Sequence, residues 1–200
     1  MRWPVTEENA WLRILAKDPG HSERYVQRFR RLAAQGRDLG GEARFVDALL
    51  PRGARVLDAG CGTGRVGGLL AAIGHRVVGV DLDPRLVAEA RADHPGSEWI
   101  VGDLSRLDLP GAFHVVVCAG NVMTFVAPST RVEILRRFRA HLAPGGRVVT
   151  GFGAGREYGF DDFLADAKEA GLTPDHTFAT WDLRPFGPDS PFLVAVLSLA

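Results

Sequence analysis

The sequence predicts an α/β fold: a mostly parallel sheet covered by helices on both faces. Three observations carry that prediction. From about residue 55 onward, strand-like apolar runs alternate with helical stretches. Their centres are continuously apolar rather than alternating, as between Phe113 and Ala119, which marks strands buried on both faces. The first run passes through a glycine-rich turn straight into an apolar helix, in Val56-Leu57-Asp58-Ala59-Gly60-Cys61-Gly62-Thr63-Gly64.

Residues 1–50 read as helical. Thr6-Glu7-Glu8-Asn9 can cap a helix carrying Trp11, Leu12 and Leu15, which Asp18-Pro19-Gly20 ends. Ser22 caps a second helix with Tyr25, Val26, Phe29 and Leu32 at helical spacing. Gly40-Gly41 breaks the chain before a third, Glu42 to Leu50, and Pro51-Arg52-Gly53 turns out of it. No low-complexity linker follows, so this region is expected to cap a core spanning 51–200, the whole making one domain.

The core then runs in order. Strands are expected at Arg55–Asp58 and Arg76–Asp81, with a helix from Val66 to Ile73 between them. Pro84 suits the first turn of a helix running to Asp93, and Asp83 suits its cap. Glu98–Val101 is the third strand, followed by an irregular stretch from Leu104 to Gly111. Phe113–Ala119 is the fourth, and a helix spans Pro128 to Leu142. Ala143-Pro144-Gly145-Gly146 turns into the fifth strand, Arg147–Phe152, and Phe160–Ala170 is a helix stopped by Gly171. A sixth strand is expected near Thr177–Leu183 and a last one at Phe192–Leu199. Only Arg184–Pro191 joins these two, so the final strand should run antiparallel.

Composition narrows the function. Twenty-four basic and 24 acidic side chains give zero formal charge among 200 residues, which argues against nucleic acid or an anionic membrane as partner. No apolar run approaches membrane-spanning length, and Met1-Arg2-Trp3-Pro4 does not open a signal peptide. Two cysteines make no disulfide framework. A cytoplasmic setting is expected, and nothing here fixes an oligomeric state.

The glycine turn carries the chemistry. Without Cβ atoms a ligand can touch the backbone, and the following helix aims its free N–H groups at that point. This describes a nucleotide-type cofactor site at the edge of an open α/β sheet. Asp58 lies inside the turn, where a phosphate would be repelled and a cationic amine attracted.

These features together resemble the class I S-adenosylmethionine-dependent methyltransferases, over roughly residues 40–200. The resemblance rests on the stretch from Val56 to Gly64, on Asp81 closing the second strand, on Gly102-Asp103-Leu104 after the third, and on Pro144-Gly145-Gly146 before the fifth. It implies a Rossmann-like seven-stranded sheet of order 3-2-1-4-5-7-6 and S-adenosylmethionine as cofactor. Gly60, Cys61, Gly62 and Gly64 would then lie against its methionine end and ribose, and Asp58 would attract its ammonium. Asp81 would accept the ribose hydroxyls, and Leu82 would pack on the purine. Gly102, Asp103 and Leu104 would read the adenine edge. Ala119, Gly120 and Asn121, at the switch point beside the first strand, would border the methyl group. Cys61 and Cys118 are expected as small buried thiols near that end.

A nicotinamide-dependent oxidoreductase is the rival enzyme, since Gly62, Gly64 and Gly67 make a G-x-G-x-x-G with Asp81 suitably placed. Asp58, Asp103 and the antiparallel last strand weigh against it. A non-catalytic S-adenosylmethionine-binding protein is the other alternative. Gly120-Asn121-Val122-Met123 is not the Asn/Asp-Pro-Pro-aromatic tetrapeptide of nucleic-acid and some protein methyltransferases, so a small-molecule acceptor is expected. No His and carboxylate cluster has metal spacing. Met123, Phe125, Arg156, Tyr158, Asp182, Arg184 and Phe186 are the candidates to line the substrate site, with Arg156 or Arg184 holding an acidic group or simply solvated. Of the six histidines only His21 is expected near the active edge. His21 and Tyr158 are the candidate general bases beside a mechanism of proximity alone. Trp11, Tyr25 and Phe29 are either core residues of the helical cap or a lid.

Overall fold

The computed structural model describes residues 9–200. Thr6, Glu7 and Glu8 of the expected capping stretch lie outside the described residues. Three helices come first: α1 (Ala10–Lys17), α2 (His21–Ala34) and α3 (Gly41–Ala48). Asn9 caps α1 by accepting the Trp11 N–H. Ser22 does not cap α2, which starts one residue earlier behind Gly20. Its hydroxyl is instead drawn to the buried Asp83 carboxylate.

The core alternates as expected: β1 (Arg55–Ala59), α4 (Arg65–Ala72), β2 (Arg76–Asp81), α5 (Pro84–Asp93), β3 (Glu98–Val101) and β4 (Phe113–Cys118). Then come α6 (Arg131–Ala140), β5 (Leu142–Gly153), α7 (Phe160–Glu169), β6 (Leu172–Phe178) and β7 (Phe192–Leu199). The seven strands form one sheet of order β3-β2-β1-β4-β5-β7-β6. Pairing is parallel from β3 through β5. β7 runs antiparallel to both β5 and β6. β1 and β4 therefore lie side by side where the chain changes direction of winding, the crevice at which open α/β sheets bind ligands.

Successive strand residues face opposite sides, and the core divides accordingly. Leu57, Val78 and Val116 pack with Ile134, Leu135 and Phe138 of α6 and Phe163 of α7. Val56, Val77, Val115 and Val117 pack with Phe45 and Val46 of α3, Val66 and Leu70 of α4 and Val87 of α5. The same alternation puts Asp58 on the α4 side, where no apolar residue could take its hydrogen bond.

The larger departures from expectation lie in β6, at the start of β5 and before α6. The sixth strand is Leu172–Phe178, not Thr177–Leu183. Gly171, at φ 79°, turns the chain immediately after α7, so the strand starts at once. Residues 179–184 form a turn instead, with Leu183 at φ 69° and the Ala179 N–H bonded to the Arg184 carbonyl. Pro174 is tolerated because β6 is an edge strand whose register shifts there. β5 begins at Leu142, and the expected turn at 143–146 becomes an irregularity inside its pairing with β4. The stretch after β3 holds a short 3-10 turn, Leu104–Arg106, capped by Asp103, and another, Pro128–Thr130, precedes α6. Among the described residues no helix is long and apolar enough to cross a membrane.

Candidate active site

The site grows from the carboxyl end of β1. Gly60, Gly62 and Gly64 all have positive φ (79°, 54° and 76°), so the turn needs residues without a Cβ penalty. At Gly60 a Cβ would lie 2.4 Å from Val122 Cγ2, which excludes any side chain there. The turn is clamped from β2: the Gly60 and Cys61 N–H groups both donate to the Val80 carbonyl, at 2.8 and 3.1 Å.

Two carboxylates flank this turn, Asp58 buried and Asp81 half-buried. Asp58 accepts the Gly67 N–H of α4 at 2.8 Å, and Gly67 is needed because a Cβ would stand 2.9 Å from that oxygen. Burial raises the Asp58 carboxyl to about 7 against the pull of that hydrogen bond, with no cation in contact. Asp81, at the end of β2, accepts the Gly62 N–H at 2.8 Å and the Asp83 N–H at 2.9 Å. Burial raises it as well. Asp83 in turn caps α5 through one oxygen and receives the Trp11 indole N–H, at 3.0 Å, and the Ser22 hydroxyl on the other. That carboxylate ties the helical cap to the site.

A cavity of about 250 Å³ opens over the turn. Asp58, Gly60, Cys61, Gly62, Asp81, Leu82, Asp103, Leu104, Ala119, Gly120 and Asn121 line it, as do His21, Phe125 and Arg156. Asn121 takes the left-handed conformation (φ 69°), and its side-chain oxygen accepts the Gly153 N–H of β5 at 2.8 Å. Asp103 spends one oxygen on Ser105, through both backbone N–H and hydroxyl. Cys61 and Cys118 are buried free thiols, both pushed up by burial. Trp11 and Tyr25 form a roof. The Tyr25 hydroxyl comes within 3.5 Å of where a Gly62 Cβ would be, and burial raises it to about 12. Phe29 is not in the cavity and packs at a tilt against Tyr25, ring centroids 4.8 Å apart.

Several sequence-predicted residues are elsewhere. Gly102 does not line the cavity; its N–H donates to the Asp81 carbonyl and holds the β3 end in place. Met123 is fully buried because the 3-10 turn Val122–Thr124 rotates it into the core. Tyr158 also turns inward. It stacks on Phe152, donates to Asp166 at 2.6 Å, and is raised by that burial. Asp182 and Arg184 pair with each other at 3.5 Å on the surface. Phe186 packs on Phe160. These three follow β6, which β7 separates from β5, so they lie strands away from the switch point. Of the histidines only His21 lines the cavity. His75 meets Asp47 at 2.9 Å, His114 accepts the Arg55 N–H, and His141 accepts the Leu109 N–H.

Sequence reasoning missed Asn9, Arg28, Thr63, Arg65 and Val126 among the lining residues. The spacing of His21, Tyr25 and Arg28, four and then three apart on α2, is the signal that places them on one helical face.

Comparison with known proteins agrees with this geometry. A methyltransferase domain model matches residues 56–146, from β1 to the start of β5. A TehB-like S-adenosylmethionine-dependent methyltransferase from Corynebacterium glutamicum is 50% identical, with a TM-score of 0.88 over 92% of this chain and 100% of that one. The chain belongs to the S-adenosylmethionine-dependent methyltransferase family. A 2-phytyl-1,4-naphtoquinone methyltransferase from Thermosynechococcus vestitus is 30% identical over 76% of this chain and 73% of its own length. A dTDP-3-amino-3,6-dideoxy-alpha-D-glucopyranose N,N-dimethyltransferase from Streptomyces fradiae is 32% identical over 58% of this chain and 47% of its own length. The chain spans about half the length of the first curated relatives it matches. Within the family fold, the cavity occupies the carboxyl edge of the parallel strands, and the helical cap closes over it.

Proposed function

We propose that the chain binds S-adenosylmethionine in this cavity and transfers its methyl group to a small-molecule acceptor. The observation that carries the reading is the pair of carboxylates, buried Asp58 and half-buried Asp81, on either side of a glycine turn whose Gly60 has no room for a side chain. Asp58, raised by burial and with no cation in contact, suits a ligand that brings its own cation to stabilise the ionised carboxylate. A dinucleotide would set pyrophosphate beside the same carboxylate and be repelled, which disfavours an oxidoreductase.

When bound, the cofactor supplies a methyl group made electrophilic by its sulfonium. The chain's own residues do the rest. Asp58 would hold the ammonium and Asp81 the ribose hydroxyls, while Gly60, Cys61 and Gly62 let the ligand approach the backbone. Leu82 would cover the purine, and Asp103 with the Leu104 backbone would meet the adenine edge. Ala119, Gly120 and Asn121 would border the reacting end, with Asn121 fixed by its bond to Gly153. No side chain there is set up as an activated base: His21 stands 3.8 Å from the Asp18 carboxylate at the cavity wall, and Tyr158 is withdrawn into the core. Orientation and exclusion of water would supply most of the acceleration. The chain acts as one unit, with residues 1–50 as cap and 51–200 as core, and two unpaired buried cysteines suit a reducing, cytoplasmic compartment.

Calorimetric titration with S-adenosylmethionine and with NADH tests this. Saturable binding of the first and none of the second is expected. The reverse preference would refute the assignment.

A further inference from the structure

The cavity wall beyond the β4 end is aromatic and carries a positive charge. Trp11 meets His21, Tyr25 and Phe125 edge to face, with ring centroids 5.0, 5.8 and 5.5 Å apart. Arg156, in the loop after β5, lines the same wall with its guanidinium 5.9 Å from the Phe125 centroid. The neighbouring Glu157 is engaged by Arg13 at 3.7 Å, and among the described residues no carboxylate pairs with Arg156. The acids of the cavity, Asp58, Asp81 and Asp103, stand at the ends of β1, β2 and β3, across β4 from β5 and the loop that carries Arg156.

We propose that the methyl acceptor is a flat ring compound bearing a carboxylate, its ring against Trp11 and Phe125 and its carboxylate on Arg156. This rests on the methyl-transfer reading of the same cavity and names the acceptor class. Rigid aromatic walls gain most from a planar partner, which keeps contact at little cost in its own freedom. Aromatic walls also attract cationic amines. Here a guanidinium already stands over Phe125, so charge selects an anion and repels an amine. The planar guanidinium fork matches a carboxylate in two hydrogen bonds, which would fix the ring's orientation as well as its presence. Arg156 is exposed, so the contribution is screened and the expected gain is about tenfold rather than a thousandfold.

The test is calorimetry on protein saturated with S-adenosylhomocysteine, with 4-hydroxybenzoate, its methyl ester, tyramine and cyclohexanecarboxylate as probes. 4-Hydroxybenzoate should bind about tenfold more tightly than the ester or tyramine, and more tightly than the puckered cyclohexanecarboxylate. Arg156→Ala should bring it down to the level of the ester while leaving ester and S-adenosylhomocysteine affinities unchanged. Arg156→Lys should restore part of the difference, and added salt should weaken the carboxylate alone. Equal or tighter binding of tyramine or the ester, no effect of Arg156→Ala, or no probe bound beside S-adenosylhomocysteine would each overturn the proposal. Failure of S-adenosylhomocysteine itself to bind would overturn the methyl-transfer reading first.

Discussion

Asp58→Asn should make the ligand-free protein more stable at neutral pH while weakening its hold on the cofactor. The Asp58 carboxyl is fully buried and rises from 3.8 to about 7. A raised carboxyl favours the folded state at low pH, where it is protonated in that state at no cost. The stability it lends is fully present below about pH 4 and is lost as pH rises toward 7, where the native state must hold a buried charge that the unfolded chain gives to water. The shift corresponds to at most about 4 kcal/mol across that window. Asparagine keeps the shape and can still accept the Gly67 N–H, but it cannot ionise. The variant should therefore match the wild type below about pH 4 and exceed it by a few kcal/mol at pH 8. Urea denaturation at several pH values measures this, and subtracting the two curves removes every other titrating group. The same substitution takes away the anion proposed to face the ammonium, so S-adenosylhomocysteine affinity should fall by about 1.5–3 kcal/mol, roughly ten- to a hundredfold. Parallel stability curves for the two proteins between pH 4 and 8 would refute the reasoning, as would unchanged affinity.

Asp81→Ala should weaken S-adenosylhomocysteine binding by about 2–3 kcal/mol in a titration, since the two ribose hydroxyls proposed to bond there would lose their acceptor and the Gly62 N–H loses its clamp. Tyr158→Phe should leave turnover unchanged and cost only about 1 kcal/mol in denaturation, because its hydroxyl serves Asp166 and not a substrate; a large fall in turnover would return it to the site. Cys61 and Cys118 should both be recovered as free thiols by alkylation and mass spectrometry, with Cys61, which lines the cavity, labelled more slowly when cofactor is bound. A disulfide between them would contradict the structure.

How far the sequence could be read depended on what surrounds each residue. The β1 turn was legible because three glycines and an aspartate have few other reasons to stand together; continuous apolar runs marked where most strands lie, and their order in the sheet came from the family resemblance. Turns hid the rest. Met123 and Tyr158 stand in irregular backbone after strands, where no periodicity says which side chains face inward, and both went to the core. Trp181, Asp182 and Leu183 looked like the end of a strand, but Gly171 starts β6 earlier and Trp181 packs against Gly151 and Phe45. Arg184 and Phe186 were misplaced with them. The roof was half legible: helical spacing put Tyr25 on an inward face, but only the fold shows Trp11 bound to Asp83 two residues beyond Asp81.

The central claim is methyl transfer to a small molecule. The most direct measurement incubates the protein with methyl-labelled S-adenosylmethionine and a fractionated metabolite extract, then follows the label by mass spectrometry. Label should appear in a low-mass product, formed together with an equal amount of S-adenosylhomocysteine and depressed in Asp81→Ala. Cofactor that binds but never loses its methyl group, or label found only in protein or nucleic acid, would contradict it.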